Sequence, residues 1–377
     1  MSDAAALPGP YLGFQLKHLG DFLMTLPALA FLKERTGQKV GLALNPQIAA
    51  VLREGGSREQ GFAPELVVPA WVDEVFVLDR RGGPSSVFET AGAIRKRGYK
   101  TAFIFDGQTR SIVAASLAGL RNRVGAEGLY RPSLPWLYNR WADIKSADWP
   151  LESQAYRAQK MAAAALGLPA GPLIRPRLRI LDQPSLERAE KLLHSLDGDG
   201  PLVGLALRGM QPEKSWPLAN FAELCRRLGR EFRARLFVVG GPSESPMAQA
   251  LAEAAALPVA DFCGATSLRT LLALTAGCDL FIGIDTGPAH VAALSQMPQI
   301  SIYTWTSPAL WPPLNPRAKI FVYDWALRRF GLSPQDGPWH HAPVVSPEMV
   351  FEAAAEILRS AEKRSKPEVN PVFTSEK

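Results

Sequence analysis

The sequence predicts an α/β protein with two doubly wound, Rossmann-like domains. Short apolar runs alternate with amphipathic stretches almost from one end of the chain to the other, which is typical of strands separated by helices. A length of 377 residues suits two such domains better than one hydrophobic core. Helices between successive strands imply parallel sheets covered on both faces, and in such sheets ligands bind beyond the carboxyl ends of the strands.

The first half of the chain contains four predicted strands and three predicted helices. The strands are expected at residues 11–16, 39–44, 74–78 and 101–105. The helices are expected at residues 21–35, 85–97 and 109–117. A stretch rich in Pro, Gly and Arg at 167–179 then interrupts the pattern, and we interpret it as the approach to an interdomain linker that ends near Pro184.

The second half repeats the alternation. Its strands are expected at residues 202–207, 236–239, 259–262, 280–283, 299–303 and 319–322, and its helices at 218–232, 246–256, 267–276 and 288–296. We therefore predict an N-terminal domain over 1–178 and a C-terminal domain over 184–340. A helix at 345–362 is expected to complete the N-terminal domain, and the polar tail 363–377 is expected to be disordered.

The composition indicates a water-soluble enzyme or binding protein of the cytoplasm. Hydrophobic residues make up 47% of the chain and charged residues 21%, and no run approaches the roughly 18 apolar residues that span a bilayer. The first residues show no basic region followed by an apolar one, so we expect no signal peptide. The three cysteines lack the spacing of a disulfide framework or a zinc site.

The net charge of +6 is spread over several basic clusters, at residues 95–97, 175–179 and 226–235. Such a balance suits nucleic acid, anionic lipid headgroups or a phosphorylated substrate, and most of these side chains also suit solvated helix faces. Nucleic acid is the weakest of the three partners because no recognition-helix or RNA-binding pattern accompanies the charge.

The strongest local signal is the junction where an apolar strand ends and the run DTGPAH at 285–290 begins. Pro288 suits the first helical residue, and either Asp285 or Thr286 suits the cap. Free backbone N–H groups and the helix dipole make such a terminus an anion site, and Gly287 lets a diphosphate approach the backbone. A well-capped helix with nothing bound explains the segment equally well, and His290 either contacts a phosphate or holds the loop.

Two further junctions carry charged residues at the carboxyl edge of the same predicted sheet. Arg208 and Lys214 lie in the loop after the strand at 202–207, where two cations would stabilise the charge of a leaving diphosphate. Glu244 follows the next strand and either binds a ribose or caps the following helix. Neither a GxGxxG dinucleotide fingerprint nor a GxxxxGK[ST] phosphate loop is present.

In the first half, Asp21 lies at a strand-to-helix turn and is expected to cap the helix. Pro27 falls inside that predicted helix, where it would cost on the order of 3 kcal/mol if unrelieved. A broken local rule of this kind points to a functional site, and a carboxylate there suits a general base. Asp106, with Gln108 and Arg110 after it, is expected to line the site where the group deprotonated by this base, the acceptor, would bind.

Three motifs occur in order: Gly20-Asp21 with the run TLPAL at 25–29, the run KSWP at 214–217, and DTGPAH at 285–290. Together they resemble the hallmarks of glycosyltransferase family 9, the ADP-heptose:lipopolysaccharide heptosyltransferases, across roughly residues 11–310. The resemblance implies a GT-B fold with an acceptor-binding N-terminal domain and a nucleotide-binding C-terminal domain. It also implies inverting transfer of heptose from an ADP-sugar without a required metal or other cofactor.

Carried over position by position, the resemblance makes Asp21 the catalytic base and Lys214 a diphosphate contact. It places Asp285, Thr286, Gly287 and His290 in the donor-phosphate loop and Glu244 at a ribose contact. The acceptor implied is the phosphorylated, lipid-linked inner core of lipopolysaccharide. The enzyme is then expected in the cytoplasm, with peripheral contact to the inner membrane.

One loop departs from the family pattern: where the family has Gly-Pro-Thr-Asp-Pro, this chain has TWTSP at 304–308. Either Trp305 or Trp311 stacks on the base of the nucleotide, or the loop packs differently than in the family. The adjacent histidines His340 and His341 have no counterpart and are not expected to bind metal. Two alternatives to a heptosyltransferase stay open: a transferase for another nucleotide sugar or acceptor, and a catalytically idle nucleotide-sugar-binding protein.

Overall fold

The chain folds into two α/β units. The computed structural model describes residues 6–52, 67–68, 71–127, 129–208 and 212–363. Contacts divide the chain into Met1–Pro176 and Arg177–Lys377. The boundary lies within the linker region that the Pro, Gly and Arg residues indicated. The described residues contain no helix both long and apolar enough to cross a membrane.

The first unit is built on a six-stranded parallel sheet in the order β4-β2-β1-β5-β6-β7. Its strands are β1 Tyr11–Gln15, β2 Val40–Leu44, β3 Val67–Val68, β4 Glu74–Val77, β5 Thr101–Ile104, β6 Asn122–Ala126 and β7 Arg140–Ala142, of which β3 lies outside this sheet. Its helices are α1 Leu19–Leu23, α2 Leu26–Thr36, α3 Pro46–Leu52, α4 Pro84–Arg95, α5 Thr109–Leu117 and α6 Gln154–Leu166.

From β1 the chain builds outward through β2 to β4, and then returns to the other side of β1 as β5, β6 and β7. The strand order therefore reverses between β1 and β5. This is the topological switch point, where the loops after neighbouring strands diverge and leave a crevice for a ligand.

The helix predicted at 21–35 is two helices, which resolves the conflict at Pro27. α1 ends at Leu23, the Thr25 hydroxyl donates to the Phe22 carbonyl at 2.6 Å, and α2 begins at Leu26. Pro27 is therefore the second residue of α2, where no intrahelical N–H bond is lost. The cost expected for a proline inside a helix therefore does not arise.

The second unit carries a seven-stranded parallel sheet in the order β11-β10-β9-β12-β13-β14-β15. Its strands are β8 Arg179–Ile180, β9 Leu202–Ala206, β10 Arg235–Val238, β11 Val259–Asp261, β12 Leu280–Ile284, β13 Gln299–Tyr303, β14 Ala318–Tyr323 and β15 Trp339–Ala342, of which β8 lies outside this sheet. Its helices are α7 Gln183–His194, α8 Leu218–Phe232, α9 Ser245–Ala255, α10 Leu268–Ala276, α11 Gly287–Ser295, α12 Asp324–Arg329 and α13 Pro347–Lys363.

Here the strand order reverses between β9 and β12, so the second unit has its own switch point. Strands β9 and β12 are almost completely buried because helices cover both faces of the sheet. Their polar residues begin only where the strands end. The exposed polar side chains are therefore concentrated at the carboxyl edge of the sheet.

The C-terminal helix α13 differs from its expected place. Val350, Phe351, Ala354 and Leu358 belong to the core of the second unit, together with Leu224 and Leu228 of α8. The helix therefore packs on the second unit, whereas we expected it to complete the first. Its apolar stripe matches the groove beside α8, which sequence periodicity cannot identify. The expected disorder of the tail falls, beyond Lys363, on residues outside those described.

Candidate functional site

The candidate residues of the second unit lie around its switch point. Arg208 and Lys214 follow β9, and the run from Asp285 to His290 follows β12. Since β9 and β12 are hydrogen-bonded neighbours, their carboxyl ends are adjacent. The structure therefore brings together two loops that are about 70 residues apart in sequence.

Asp285 is the centre of this arrangement, and three side chains converge on its buried carboxylate. His290 Nε2 lies 2.9 Å from Oδ1, the Thr306 hydroxyl donates to Oδ2 at 2.6 Å, and Lys214 Nζ lies 3.5 Å from Oδ2. These partners come from α11, the loop after β13 and the loop after β9. One carboxylate therefore ties three loops together at the carboxyl edge.

Asp285 is ionised in this setting. Burial by itself would raise the pKa of the carboxyl, but the hydrogen bond and charge of His290, the charge of Lys214 and the hydrogen bond of Thr306 outweigh it. The net result is a pKa below the ordinary value. Because the carboxylate accepts from His290, Nε2 carries a proton and the ring is held in one orientation.

The N-terminus of α11 opens at the same edge. The helix begins at Gly287, one residue earlier than expected, so Pro288 is its second residue. Thr286 occupies the cap position, but its side chain makes no capping hydrogen bond, which corrects the expected role. The backbone N–H groups of Gly287 and Ala289 have no carbonyl one turn back to donate to, so this terminus has the free donors that an anion requires.

His290 has a second unusual feature. Its Nδ1 atom is buried and has no hydrogen-bond partner among the described residues. With Nε2 donating to Asp285, Nδ1 is an acceptor when the ring is neutral and a donor when it is protonated. A buried, unpartnered ring nitrogen is uncommon in folded proteins and costs stability unless a ligand or water satisfies it.

The loop carrying Lys214 is fixed by its neighbours rather than extended into solvent. Trp216 is buried, and its indole N–H donates to the Val345 carbonyl at 2.9 Å. The Thr304 hydroxyl donates to the Glu213 carbonyl at 2.9 Å. These two hydrogen bonds flank Lys214 in the sequence, and the Lys214 side chain is 25% exposed. The ammonium group is thus held at the edge while remaining accessible.

Glu244 lies at the neighbouring end of β10. Its Oε1 atom accepts a hydrogen bond from the Gly241 backbone N–H at 3.2 Å within the 3-10 turn Pro242–Glu244. Glu244 also occupies the N-cap position of α9, but its side chain makes no capping hydrogen bond there, which corrects the expectation that it caps the following helix. Burial raises the pKa of this carboxyl, partly offset by the Gly241 hydrogen bond and the charge of Arg208. Arg208, which is exposed, therefore lies close enough to Glu244 for their charges to interact.

The loop that departs from the family pattern packs against the protein. Trp305 contacts the Trp325 ring at a centroid distance of 5.1 Å, and the Arg329 guanidinium lies 4.1 Å from its ring centroid. The packing interpretation of Trp305 is therefore the one that the structure favours. Thr306, in the same loop, was not among the predicted site residues. The signal was available, since it is a hydroxyl residue following a central strand.

In the first unit, Asp21 lies just beyond β1 at the switch point. It is the third residue of α1, and its Oδ2 atom accepts from the His18 backbone N–H at 3.4 Å. His18, not Asp21, is the cap residue, because the strand ends at Gln15 and the helix begins earlier than expected. The Asp21 side chain remains partly exposed.

Two side chains from neighbouring strands fix the loop between β1 and α1. Asp106, after β5, accepts from the Leu16 backbone N–H at 2.8 Å. Asn45, after β2, donates from its amide to the Leu16 carbonyl at 3.1 Å and to the Lys17 carbonyl at 2.7 Å. The loop that precedes Asp21 is therefore held from both sides. Asn45 was missed, although it directly follows a strand as Asp106 does.

Asp106 is fully enclosed, which determines its chemistry. Burial raises its pKa to about 6, although hydrogen bonds from Gln108, Ser111 and Leu16 and the charge of Lys17 favour the ionised form. Arg110 donates to the Gly82 and Gly83 carbonyls and so secures the loop before α4. In this conformation both side chains hold loops of the first unit, whereas we expected them to line the acceptor site.

Among the described residues, no group of three or more His, Cys, Asp or Glu side chains has the arrangement of a metal site. His341 Nδ1 lies 2.8 Å from Asp324 Oδ1, and the His340 ring stacks on Phe321 at a centroid distance of 4.7 Å. Each of the adjacent histidines thus has a packing or hydrogen-bonding partner of its own.

Comparison with known sequences identifies the family of the chain. The family model described as Glycosyltransferase family 9 (heptosyltransferase) matches residues 87–330. Lipooligosaccharide heptosyltransferase 2 of Haemophilus influenzae is 26% identical over 280 residues, which are 71% of this chain and 79% of that protein. Lipopolysaccharide heptosyltransferase 2 of Escherichia coli is 24% identical over 325 residues, 79% of this chain and 90% of that protein.

Solved structures show the same GT-B fold. E. coli ADP-heptose lps heptosyltransferase II has a TM-score of 0.71 at 20% identity and covers 93% of this chain and 99% of its own. E. coli heptosyltransferase WaaC with ADP has a TM-score of 0.65 at 20% identity, with 92% and 99% covered. The family model spans well over half of the sequence and includes the whole switch point of the second unit. The chain therefore belongs to glycosyltransferase family 9, the heptosyltransferase family, and is a glycosyltransferase.

Proposed function

We propose that the protein transfers a heptose from ADP-heptose to a hydroxyl group of the lipid-linked inner core of lipopolysaccharide, with inversion at the anomeric carbon. The observation that carries the proposal is the convergence of Lys214, Thr306 and the start of α11 on Asp285 at a switch point. This arrangement presents a cation and free backbone donors at one edge, as the diphosphate of a departing ADP requires.

In the donor half, each group has a separate part. Lys214 and the backbone N–H groups of Gly287 and Ala289 bind the diphosphate, and Asp285 with Thr286 shapes the loop that holds them. His290 is oriented by Asp285 and offers Nδ1 to the donor. Arg208 adds positive charge beside the site, and Glu244 contacts the ribose through the carboxylate oxygen that Gly241 does not occupy.

In the acceptor half, Asp21 is the general base. The acceptor oxygen attacks the anomeric carbon, its proton passes to the Asp21 carboxylate, and the bond from that carbon to the diphosphate oxygen breaks. The electron pair of that bond leaves with ADP, whose developing charge is balanced by Lys214 and the α11 terminus. No step requires a metal ion or other cofactor, because these groups supply the positive charge.

The substrate identities follow the relatives. One solved relative, E. coli heptosyltransferase WaaC, has structures with ADP and with ADP-2-deoxy-2-fluoro heptose, and the matched E. coli protein is a lipopolysaccharide heptosyltransferase. We place the protein in the cytoplasm, where it contacts the inner membrane peripherally to reach a lipid-linked acceptor. A donor other than ADP-heptose is the alternative, because the loop containing Trp305 departs from the family pattern.

Two substitutions test the two halves in opposite ways. Asp21→Asn keeps the shape but removes the base, so kcat should fall by about 10²–10⁴-fold while ADP affinity stays unchanged. Lys214→Ala should weaken ADP binding by about 10–100-fold, the usual worth of a hydrogen bond to a charged group. Turnover of ADP-heptose with a deacylated acceptor measures the first effect, and calorimetric titration of ADP measures the second.

Asp199→Asn and Lys191→Ala are matched controls, since both residues are exposed on the second unit away from its switch point. Full turnover by the Asp21→Asn enzyme would exclude Asp21 as the base. Binding of UDP or GDP in place of ADP by the wild-type protein would exclude ADP-heptose as the donor.

A further inference from the structure

The outer face of helices α4 and α5 is unusually apolar for a surface that meets solvent. α4 packs against α5, and α5 packs against the single turn Pro135–Leu137. Several exposed or half-buried residues of this layer are apolar. They define what we call the α4–α5 face: Phe88, Ala93, Val113, Leu117, Pro135 and Trp136.

Two of these side chains stand out. Trp136 is 74% exposed and Phe88 is 63% exposed, the highest values for large apolar side chains among the described residues. Both belong to the layer on one side of the first sheet. Scattered single apolar residues are normal at a surface, whereas two large ones in one layer, with partly exposed Val113 and Leu117 on the helix between them, suggest a binding partner.

The charge around this face is strongly biased. Residues 80–142 contain 11 Lys and Arg but only 3 Asp and Glu, a local excess of +8 in a chain whose net charge is +6. Of the three acidic residues, Asp106 is buried, which leaves Glu89 and Glu127 at the surface. Exposed cations border the face at both ends, namely Arg81, Arg95, Lys96, Arg121 and Arg131.

Helix α7 provides a comparison within the same chain. Its exposed positions include Glu187, Arg188, Glu190 and Lys191, the mixture of charges expected for a helix that meets water. α4 carries a single acidic residue and α5 none. The difference between these helices is therefore in the outward positions, where packing of the core imposes no requirement.

We propose that the α4–α5 face docks the protein onto an anionic phospholipid bilayer, with Phe88 and Trp136 entering the interface and the bordering cations facing the headgroups. Apolar side chains that insert at the headgroup level, surrounded by Lys and Arg, are the general chemistry of peripheral membrane binding. A second copy of the chain would not be favoured, because two such faces would bring like charges together. The proposal builds on the proposed lipid-linked acceptor, and its test measures vesicle binding separately from sugar transfer.

The carboxyl edge of the first sheet is compatible with this orientation. Helices α4 and α5 run antiparallel to the strands that they cover, so a bilayer lying along them would be parallel to the strands. The edge with Asp21 would then meet the membrane surface from the side. A lipid-linked acceptor would reach the base without leaving the bilayer.

The test is sedimentation of the full-length protein with vesicles of phosphatidylcholine alone or with phosphatidylglycerol added. Wild-type protein should bind the anionic vesicles, and binding should weaken as salt is raised. Phe88→Ser combined with Trp136→Ser should reduce the partition coefficient at least tenfold. Leu181→Ser, at a residue 45% exposed on the second unit, should leave it unchanged.

Charge is tested in the same way. Lys96→Glu with Arg121→Glu should abolish the preference for anionic vesicles, whereas Arg188→Glu with Lys191→Glu on α7 should preserve it. All variants should transfer sugar to a deacylated, water-soluble acceptor at the wild-type rate. That assay separates loss of docking from failure of the proposed transferase activity.

Three outcomes would overturn the proposal. The first is absence of wild-type binding to anionic vesicles, and the second is equal binding by the Phe88→Ser, Trp136→Ser protein. The third is a wild-type dimer in solution that becomes a monomer in that double variant, because the face would then be an interface between copies.

Discussion

At the scale of single residues, two buried aspartates show how partners rather than burial determine charge. Asp285 and Asp106 both follow central strands and are both enclosed. His290 and Lys214 lower the pKa of Asp285 despite its burial, whereas Asp106 has mainly neutral donors and its pKa rises to about 6. Sequence reasoning found both positions, but it could not tell the ionised network from the enclosed anchor.

The raised pKa of Asp106 predicts a particular pH dependence of stability. Its native pKa of about 6 exceeds the unfolded value of roughly 3.9, so the folded protein holds this proton more tightly. The contribution of this group to the free energy of unfolding is therefore full below about pH 4. It is lost as the pH rises to about 6, by on the order of 2–3 kcal/mol.

Comparison with Asp106→Asn isolates this effect, since Asn does not titrate. Urea unfolding between pH 4 and pH 7 should show the difference in stability, wild type minus variant, decreasing as the pH rises. Ser116→Ala, on the same helix as the Asp106 partner Ser111, is a control that should leave the pH dependence unchanged. Parallel curves for wild type and Asp106→Asn would contradict the assignment.

At the scale of elements, the break between α1 and α2 determines how Pro27 affects stability. A proline in the first turn of a helix loses no hydrogen bond and restricts the unfolded chain. Pro27→Ala should therefore destabilise the protein by about 0.5–1 kcal/mol, with the loss of buried ring contacts adding to this. A single continuous helix predicts the opposite, because removing an interior proline would stabilise it by about 3 kcal/mol.

The sign of the change in urea midpoint thus separates the two local structures. Pro246→Ala is a matched control, because Pro246 also lies in the first turn of its helix, α9. It should shift the midpoint in the same direction but by less, because Pro246 is exposed and its substitution removes no buried ring contacts. A stabilised Pro27→Ala protein would show that the helix continues through Thr25.

Most of the strands that the sequence predicted are buried along their length, and the observed ends of all of them lie within about one residue of the predicted ones, as for β1, β5 and β13. The strands of the two large sheets that it missed, β6, β7 and β15, are more polar: Asn122, Arg123, Arg140 and two histidines occupy them. Strands nearer a sheet edge have less apolar contact, so their sequences carry less of the hydrophobic signal.

At the scale of the whole molecule, each unit has a switch point of its own, and each should respond to a different ligand. ADP at about 100 times its Kd stabilises the folded protein that binds it by about 2.7 kcal/mol. Amide exchange should then slow at the carboxyl ends of β9 and β12 and in the first turn of α11. Residues 15–21 of the first unit should change little.

AMP is the matched ligand for this experiment, because it lacks the second phosphate. It should protect the α11 terminus less than ADP does if that terminus binds the diphosphate. Protection by ADP that is confined to the first unit, or that is identical with AMP, would contradict the division of roles between the two sheets.

The sequence by itself determined the fold class and the loops that carry Asp21, Lys214 and Asp285. These follow from local rules, since apolar periodicity places strands and the residues after them fall at one edge of a parallel sheet. Only the tertiary structure decided which side chains meet there. Thr306 belongs to the site of the second unit because strand β13 lies next to β12, and Asn45 belongs to that of the first unit because β2 lies next to β1. Sheet order is not a local property of the chain. The same limit explains α13, whose apolar stripe fits any groove until packing selects one.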